Sequence, residues 1–343
     1  MSDMMNSTTS QLRGLASGDR FKILGVLQQV KQRFDRNKRP FWEVALVDSE
    51  GTIEAKVWSD GKWWDARSGE RSPVEPGSPE MPGVFLNAPI GAIGTVSEFK
   101  GKQQYQFSEL FLLDPEKYPI SGFIQSSPIP IEQMEEEFRA LVAGCRPAVR
   151  DFLEKVFRGD TWRKFREAPA AVTMHHAYVH GLIEHTLSVT KGARALAQTY
   201  IDSGIDMDLD VVTAGGLLHD IGKIDSYRLD PFPSMTLPGT VIDHIALGFS
   251  RFSLLAGEHS LDEALETALG HILVSHHGRK EYGSPVLPAT PEAMVVSSAD
   301  ELDFLMYCWG SFPESGNGEV SISDFLPSAG RRFWRPDTRK VED

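Results

Sequence analysis

Two hydrophobic periods divide the chain. From Asp19 to Leu113, apolar and polar residues alternate with a period of two, the spacing of half-buried strands. Phe21–Leu27, Phe41–Val47 and Thr52–Trp58 are predicted strands. The last two are joined by Asp48-Ser-Glu-Gly51, a hairpin signal. Gly91–Ser97 and Gln104–Phe107, around Lys100-Gly-Lys102, predict a second hairpin. Residues 59–83, rich in Gly, Pro, Ser and charge, predict a mobile insertion between the hairpins. After Pro130 the period becomes 3.6, and Ile131–Ala143, Val149–Phe157 and Thr161–Glu167 are predicted helices, with helix dominant to about Met306.

The expected fold class is therefore a multi-domain α and β chain, with a small OB-like β-barrel followed by an all-α domain. Its expected organisation is a disordered lead-in (1–12), an OB-fold nucleic-acid-binding domain (13–114), a linker (115–130), a helical domain (131–310) and an irregular C-terminal tail (311–343).

Composition changes this picture little: 41% hydrophobic and 24% charged residues are those of an ordinary globular protein. There is no apolar run of about 18 residues to span a membrane, and the first ten residues lack signal-peptide features. Cys145 and Cys308 have no metal-type spacing and are expected to be reduced thiols in a cytoplasmic protein.

Charge matters more. The net charge of −13 opposes polyanion binding, yet residues 1–118 hold 15 Lys+Arg against 16 Asp+Glu, so most of the excess lies in the helical part. Lys31, Arg33, Arg36, Lys38 and Arg39 form a basic turn in the barrel. A barrel of this type stacks single-stranded bases on aromatics beside cationic phosphate contacts. The candidates are Arg36, Lys38, Phe41, Trp42, Trp58, Lys100, Lys102 and Tyr105, against the competing reading that strand aromatics fill the core and turn charges are merely solvated.

The helical part carries the chemistry. His185 shares a face with Leu182 and Val189. His219 and Asp220 end an apolar stretch that Asp210 can cap. His276 lies four residues after Ile272, in a helix opened by a Ser260–Glu263 capping box, with His277 beside it. Asp300 lies four residues after Val296, in a helix begun by Thr290-Pro291. His244 stands in Asp-His-Ile. One buried histidine is usually a satisfied core residue. Five histidines and two aspartates converging inside a core are costly unless a cation is present. A His/Asp set without Cys favours Mn, Fe, Co, Zn or Mg, and the number of ligands favours two ions.

The ordered pattern His185 … His219-Asp220 … Asp300 resembles the HD-domain phosphohydrolases, an all-helical superfamily. Leu-Leu-His-Asp-Ile-Gly-Lys and Ser-His-His-Gly-Arg, behind an OB-like front end, resemble the YhaM-type 3′→5′ exoribonucleases over about residues 12–306. His180 and Asp243 stand where that family usually has glycine. The resemblance implies one ion on His185, His219 and Asp300, a second on His244, His276 and His277, and Asp220 bridging. It makes Mn²⁺ the first candidate metal. Asp303 is a reserve ligand, and His175 and His176 are expected behind the ligands or facing substrate. His259 and His271 are expected at the surface or in packing.

The implied reaction is hydrolysis of single-stranded RNA, or of single-stranded DNA, to 5′-mononucleotides by a metal-activated water. Asp220 and Lys223 would be catalytic and Arg279 would hold an adjacent phosphate; a helix-terminal charge is the bland alternative for Lys223. The rivals are a phosphohydrolase of a free nucleotide (dNTP, cyclic nucleotide or alarmone) and a catalytically silent nucleic-acid-binding module. A homo-oligomer is an open expectation, and a membrane partner is not expected.

Overall fold

The computed structural model describes residues 6–75, 83–99, 101–173, 175–312 and 321–335. They fall into two compact units. One runs to Ser126 and includes Asp230–Phe232, and the other holds the remainder from Ser127.

In the first unit five strands, β1 (Arg20–Phe34), β2 (Pro40–Asp48), β3 (Gly51–Asp65), β4 (Pro89–Phe99) and β5 (Lys102–Leu112), pair in the order β1-β2-β3-β5-β4, with β4 returning to β1. β3 and β5 run parallel, and the other neighbours are antiparallel. This is a closed Greek-key barrel of the OB type, which leaves no long sheet edge unpaired. Closure explains the length of β1: Arg20–Val26 pairs with β4 and Val26–Phe34 with β2. Alternate residues, among them Phe21, Ile23, Val44, Leu46, Ile53 and Phe107, fill the interior.

Three expectations are corrected here. Residues 6–12 are ordered, while residues 1–5 lie outside the described part. Asn6–Ser7 pairs with Lys22–Ile23, and a capping box on Thr8 and Gln11 opens a one-turn helix, Thr9–Leu12. The anchor is the buried Asp48 carboxylate, which accepts from Thr9 N at 2.7 Å and Thr9 Oγ1 at 2.6 Å, as well as from Glu50 N and Gly51 N. A Ser/Thr-rich stretch reads as solvated unless the distant acceptor is known.

The 59–83 insertion is also shorter than expected. β3 continues to Asp65 across a register shift between Val57 and Lys62. The bulge breaks the alternation, and Gly61 fits there because a Cβ would lie 2.6 Å from Val57 Cγ1. Beyond it Trp63 is 2% exposed, against the rings of Trp42 and Phe85. Ser72–Pro73 pairs with Trp64–Asp65, and residues 76–82 lie outside the described part. Within 115–130, a 3₁₀ turn, Ile120–Phe123, packs with Val26, Val47 and Phe232 rather than acting only as a linker.

The second unit contains α1 (Ile131–Ala143), α2 (Pro147–Val156), α3 (Gly159–Glu167), α4 (Gly181–Asp202), α5 (Leu209–Leu218), α6 (Lys223–Ser226), α7 (Leu237–Val241), α8 (His244–Glu258), α9 (Glu263–Ser275) and α10 (Pro291–Gly310). The apolar α5 lies between α4 and α9, and Gly215 and Gly216 permit the approach: a Cβ would come within 2.5 Å of Ile272 and 2.7 Å of Thr190 Oγ1. Two caps differ from expectation. Asp208, not Asp210, caps α5, and Asp262, not a Ser260 box, caps α9, whereas Thr290 with Pro291 opens α10 as expected. Each capping aspartate accepts from backbone N–H groups two and three residues on, so the carboxylate adjoining the first helical residue takes the role.

The tail pairs Ser321–Ile322 with Trp334–Arg335, and Arg335 donates to the carbonyls of Trp309, Gly310 and Phe312 at the end of α10. Among the described residues no helix is long and apolar enough to cross a membrane.

Asp48→Ala removes the acceptor for four donors, two of them on Thr9. It is expected to destabilise the barrel by about 2–3 kcal/mol and to raise amide exchange across residues 6–12. An unchanged urea midpoint and unchanged exchange would refute this anchoring.

Candidate metal centre

Helix ends assemble the centre. His185 lies on α4 and Asp300 on α10. His219 and His276 close α5 and α9, Asp220 and His277 follow them, and His244 is the first residue of α8. All seven meet. His185 Nε2 is 3.2 Å from both Asp220 Oδ2 and Asp300 Oδ1, and His219 Nε2 is 3.3 Å from Asp220 Oδ2. On the other side, His244 Nε2 and His276 Nε2 lie 3.5 and 3.6 Å from Asp220 Oδ1, and the His277 ring is centred 4.5 Å from that of His276. Asp220 thus gives one oxygen to each of two donor sets, His185/His219/Asp220 and Asp220/His244/His276/His277.

The histidine tautomers decide what fits. Nδ1 of His219, His276 and His277 donates to the carbonyls of Gly216, Leu273 and Tyr282 at 2.8, 2.8 and 2.6 Å. His185 Nδ1 donates to Asp303 Oδ2 at 2.7 Å, and His244 Nδ1 lies 3.1 Å from Asp243 Oδ1. With Nδ1 carrying the proton, Nε2 of a neutral ring is a lone pair. These lone pairs face carboxylate oxygens. Asp220 Oδ1, His244 Nε2 and His276 Nε2 are buried with no hydrogen-bond partner among the described residues. Acceptor against acceptor in a buried cluster is repulsive, and a cation between them turns every contact favourable. The set therefore fits divalent metal, with nitrogen and oxygen donors and no thiolate.

Electrostatics agree. Burial raises the Asp220 carboxyl, but Lys223 and His219 outweigh it and hold Asp220 well below the usual range. Burial likewise opposes ionisation of Asp300, and the His185 contact overcomes it. Burial pushes His276 down to about 4, leaving a neutral ligand. His185 is also desolvated, yet Asp220, Asp300 and Asp303 raise it well above its ordinary value, so three carboxylates demand a positive charge there, whether proton or metal. The His244 imidazole holds Asp243 down at about 2.

Lys223, buried at the start of α6, places Nζ 2.6 Å from Asp220 Oδ2; the charge of Asp220 outweighs desolvation and keeps the ammonium protonated. A cation at the start of a helix gains nothing from the macrodipole, so the ion pair accounts for its position. A cavity of about 300 Å³ opens over Lys223, His276, His277 and Asp300, with His175, Tyr282 and Phe304 on its walls.

The supporting residues are less regular. Asp303 accepts from His185 Nδ1, and with His176 and His185 it forms a further group of donors close enough to hold a cation. Its inward phase is readable one turn after Asp300, but the ring nitrogen it meets is not. His176, expected behind the ligands or facing substrate, is buried behind His185, with Nδ1 2.8 Å from Tyr178 Oη and Nε2 3.3 Å from Asp303, and does not face substrate. Arg279 is exposed, its guanidinium 5.7 Å from the Tyr282 ring. His271 accepts from Ala289 N at 2.8 Å, and His259 ends α8. His180 and Asp243, the two departures from glycine, have φ of 66° and 79°, which explains why glycine suits those positions.

On the barrel, Trp42 and Tyr105 are 4% and 9% exposed. They are core residues and not base platforms, because the pairing of Trp42 with Val57 and of Ala55 with Tyr105 turns them inward. Of the candidate aromatics, Phe41 and Trp58 are the ones outside the core, with centroids 5.1 Å apart and Lys56 Nζ 5.9 Å from the Trp58 ring. Arg36 and Lys38 are exposed in their turn, and Lys100 lies outside the described residues. Lys102 lines a groove of about 470 Å³ with Arg13, Gln29, Glu54 and Lys56.

Residues 182–305 match the HD domain family. The 3′-5′ exoribonuclease YhaM of Bacillus subtilis (strain 168) is 28% identical over 309 residues, 89% of this chain and 91% of that protein. The chain is a homologue of that protein over most of its length and carries an HD domain. Among solved structures, the second OB-fold domain of replication protein A from Methanococcus maripaludis is 13% identical, covering 32% of this chain and 94% of that one, with a TM-score of 0.21. A replication protein A heterotrimer bound to ssDNA is 15% identical, covering 33% and 75%, with a TM-score of 0.19.

Mn²⁺ titration is expected to show binding that weakens as pH falls. A proton and a cation exclude one another on Nε2, and because the His185 pKa is raised, the competition begins above about pH 6.5. Asp303→Asn should weaken the affinity roughly 10–100-fold. Affinity independent of pH and of this substitution would count against the donor assignment.

Proposed function

We propose that the protein is a metal-dependent 3′→5′ exonuclease that hydrolyses the phosphodiester bonds of single-stranded RNA, with single-stranded DNA as an alternative strand, and releases 5′-mononucleotides. The observation that carries this reading is the buried His/Asp donor pair of sets opening onto a cavity of about 300 Å³, which is at the small end for ligand pockets and has room for one nucleotide. Homology with a 3′-5′ exoribonuclease over most of the chain supports phosphodiester hydrolysis as the reaction.

One cation is assigned to His185, His219 and Asp300, a second to His244, His276 and His277, with Asp220 shared; Mn²⁺ is the first choice. Such cations supply the Lewis acidity that activates water and neutralises phosphate charge. The chain's own residues do the rest. Asp220 fixes the spacing of the two sets by giving each one oxygen. Lys223 holds that carboxylate and presents a permanent positive charge at the cavity wall, where charge developing on the leaving 3′-oxygen is stabilised. Arg279, outside, is assigned to an adjacent phosphate. Phe41, Trp58 and Lys56, with Arg36, Lys38 and Lys102, give the barrel stacking and phosphate contacts for a single strand. Two free thiols suit a cytoplasmic setting.

A second reading, hydrolysis of a free nucleotide, uses the same cavity and is favoured by the net charge of −13, which gives little general attraction to a polyanion.

A 5′-labelled single-stranded RNA incubated with Mn²⁺ is expected to give a ladder shortening from the 3′ end. Lys223→Met should lower kcat about 10²–10³-fold, and Trp58→Ala should raise KM about tenfold at unchanged kcat. Intact oligonucleotide alongside a hydrolysed free nucleotide would select the second reading.

A further inference from the structure

Four of the five imidazoles in the centre have an evident anchor for Nδ1. His219 and His276 close their helices and reach back three residues to the carbonyls of Gly216 and Leu273, His277 uses the Tyr282 carbonyl, and His185 uses Asp303. His244 cannot copy the first two, because it begins α8 and has no preceding turn of its own helix to reach back to. The group beside its Nδ1 is Asp243 Oδ1, at 3.1 Å.

Asp243 stands at φ 79° and ψ 151°, a backbone region close to exclusive to glycine. Its side chain is 60% exposed, so packing does not hold it there. Its carboxylate does cap α8 by accepting from Ile245 N at 2.9 Å. Capping alone does not account for an aspartate, since glycine is relaxed at this φ and is nearly as good at a helix start. What glycine lacks is an acceptor for His244.

We propose that Asp243 is a positioning residue of the centre: its carboxylate fixes the tautomer and orientation of His244, so that Nε2 faces Asp220 Oδ1, and local backbone strain is retained for that purpose. The inference rests on reading the cluster as a cation centre.

The test is Mn²⁺ calorimetry on the full chain, with the melting temperature of the metal-free protein measured in parallel. Asp243→Gly is expected to melt higher than wild type without metal, yet to bind one Mn²⁺ roughly 10–100-fold more weakly. Asp243→Ser retains a capping oxygen too short to serve His244, and should show the same weakening. Asp243→Asn keeps an acceptor of the same reach and should bind within a few-fold of wild type. Wild-type affinity in the Gly and Ser variants would overturn the positioning role and leave Asp243 a helix cap. A wild-type protein that binds no Mn²⁺ would instead refute the centre itself.

Discussion

The second unit is organised around a repulsion. Imidazole lone pairs and two carboxylates converge in a buried cluster, and among the described residues the ammonium of Lys223 offsets their negative potential. Such a cluster opposes folding when empty and favours it when a divalent ion is present, so the centre couples metal binding to stability. Every local device around it serves that condition. Helix ends turn Nδ1 toward carbonyls, Asp303 and Asp243 supply acceptors where no carbonyl is available, and Lys223 partly neutralises the shared Asp220.

Helix ends suit this task better than helix middles. A histidine that closes a helix can donate to the carbonyl three residues back, as His219 and His276 do, and still aim Nε2 into the core. A histidine inside a helix, such as His185, finds those carbonyls already engaged and depends on a carboxylate from a neighbouring helix. The close approach of α5 to α4, set by Gly216 against Thr190, keeps the closing turn of α5 against His185. Two of the positive-φ residues, His180 and Asp243, stand at the entries of α4 and α8, where ligand-bearing segments begin.

Much of this was legible in the sequence, for reasons that differ by element. Apolar phasing placed His185, His276 and Asp300 inward because a helix has one geometry, so spacing alone fixes a face. A strand has two faces, and alternation does not say which is inside. Trp42 and Phe41 are neighbours with the same composition cues, and only the barrel register makes the first core and the second surface. The bulge at Gly61 hid the second half of β3 by breaking the period on which strand recognition depends. The order of residues 6–12 was unreadable because its cause, Asp48, lies some forty residues away and acts through a buried carboxylate. The role of Asp303 was half legible: its direction followed from Asp300, its partner did not.

Charge ties the two units to one chemical logic without requiring a contact between them. The helical unit is acidic, and a polyanion approaching its surface gains no long-range attraction. Cations held by the two donor sets would reverse the sign within the centre, because they would be the largest local charges there. Selectivity for a phosphodiester can then arise at short range, from coordination and from Lys223. In the proposed reading the barrel, near neutral as a whole, would hold a strand by stacking on Phe41 and Trp58 with a few cationic contacts, and not by broad counterion release. An acidic composition is therefore compatible with the proposed reading, in which a few aromatic and cationic contacts would supply affinity and the negative charge of the centre would bind the metal.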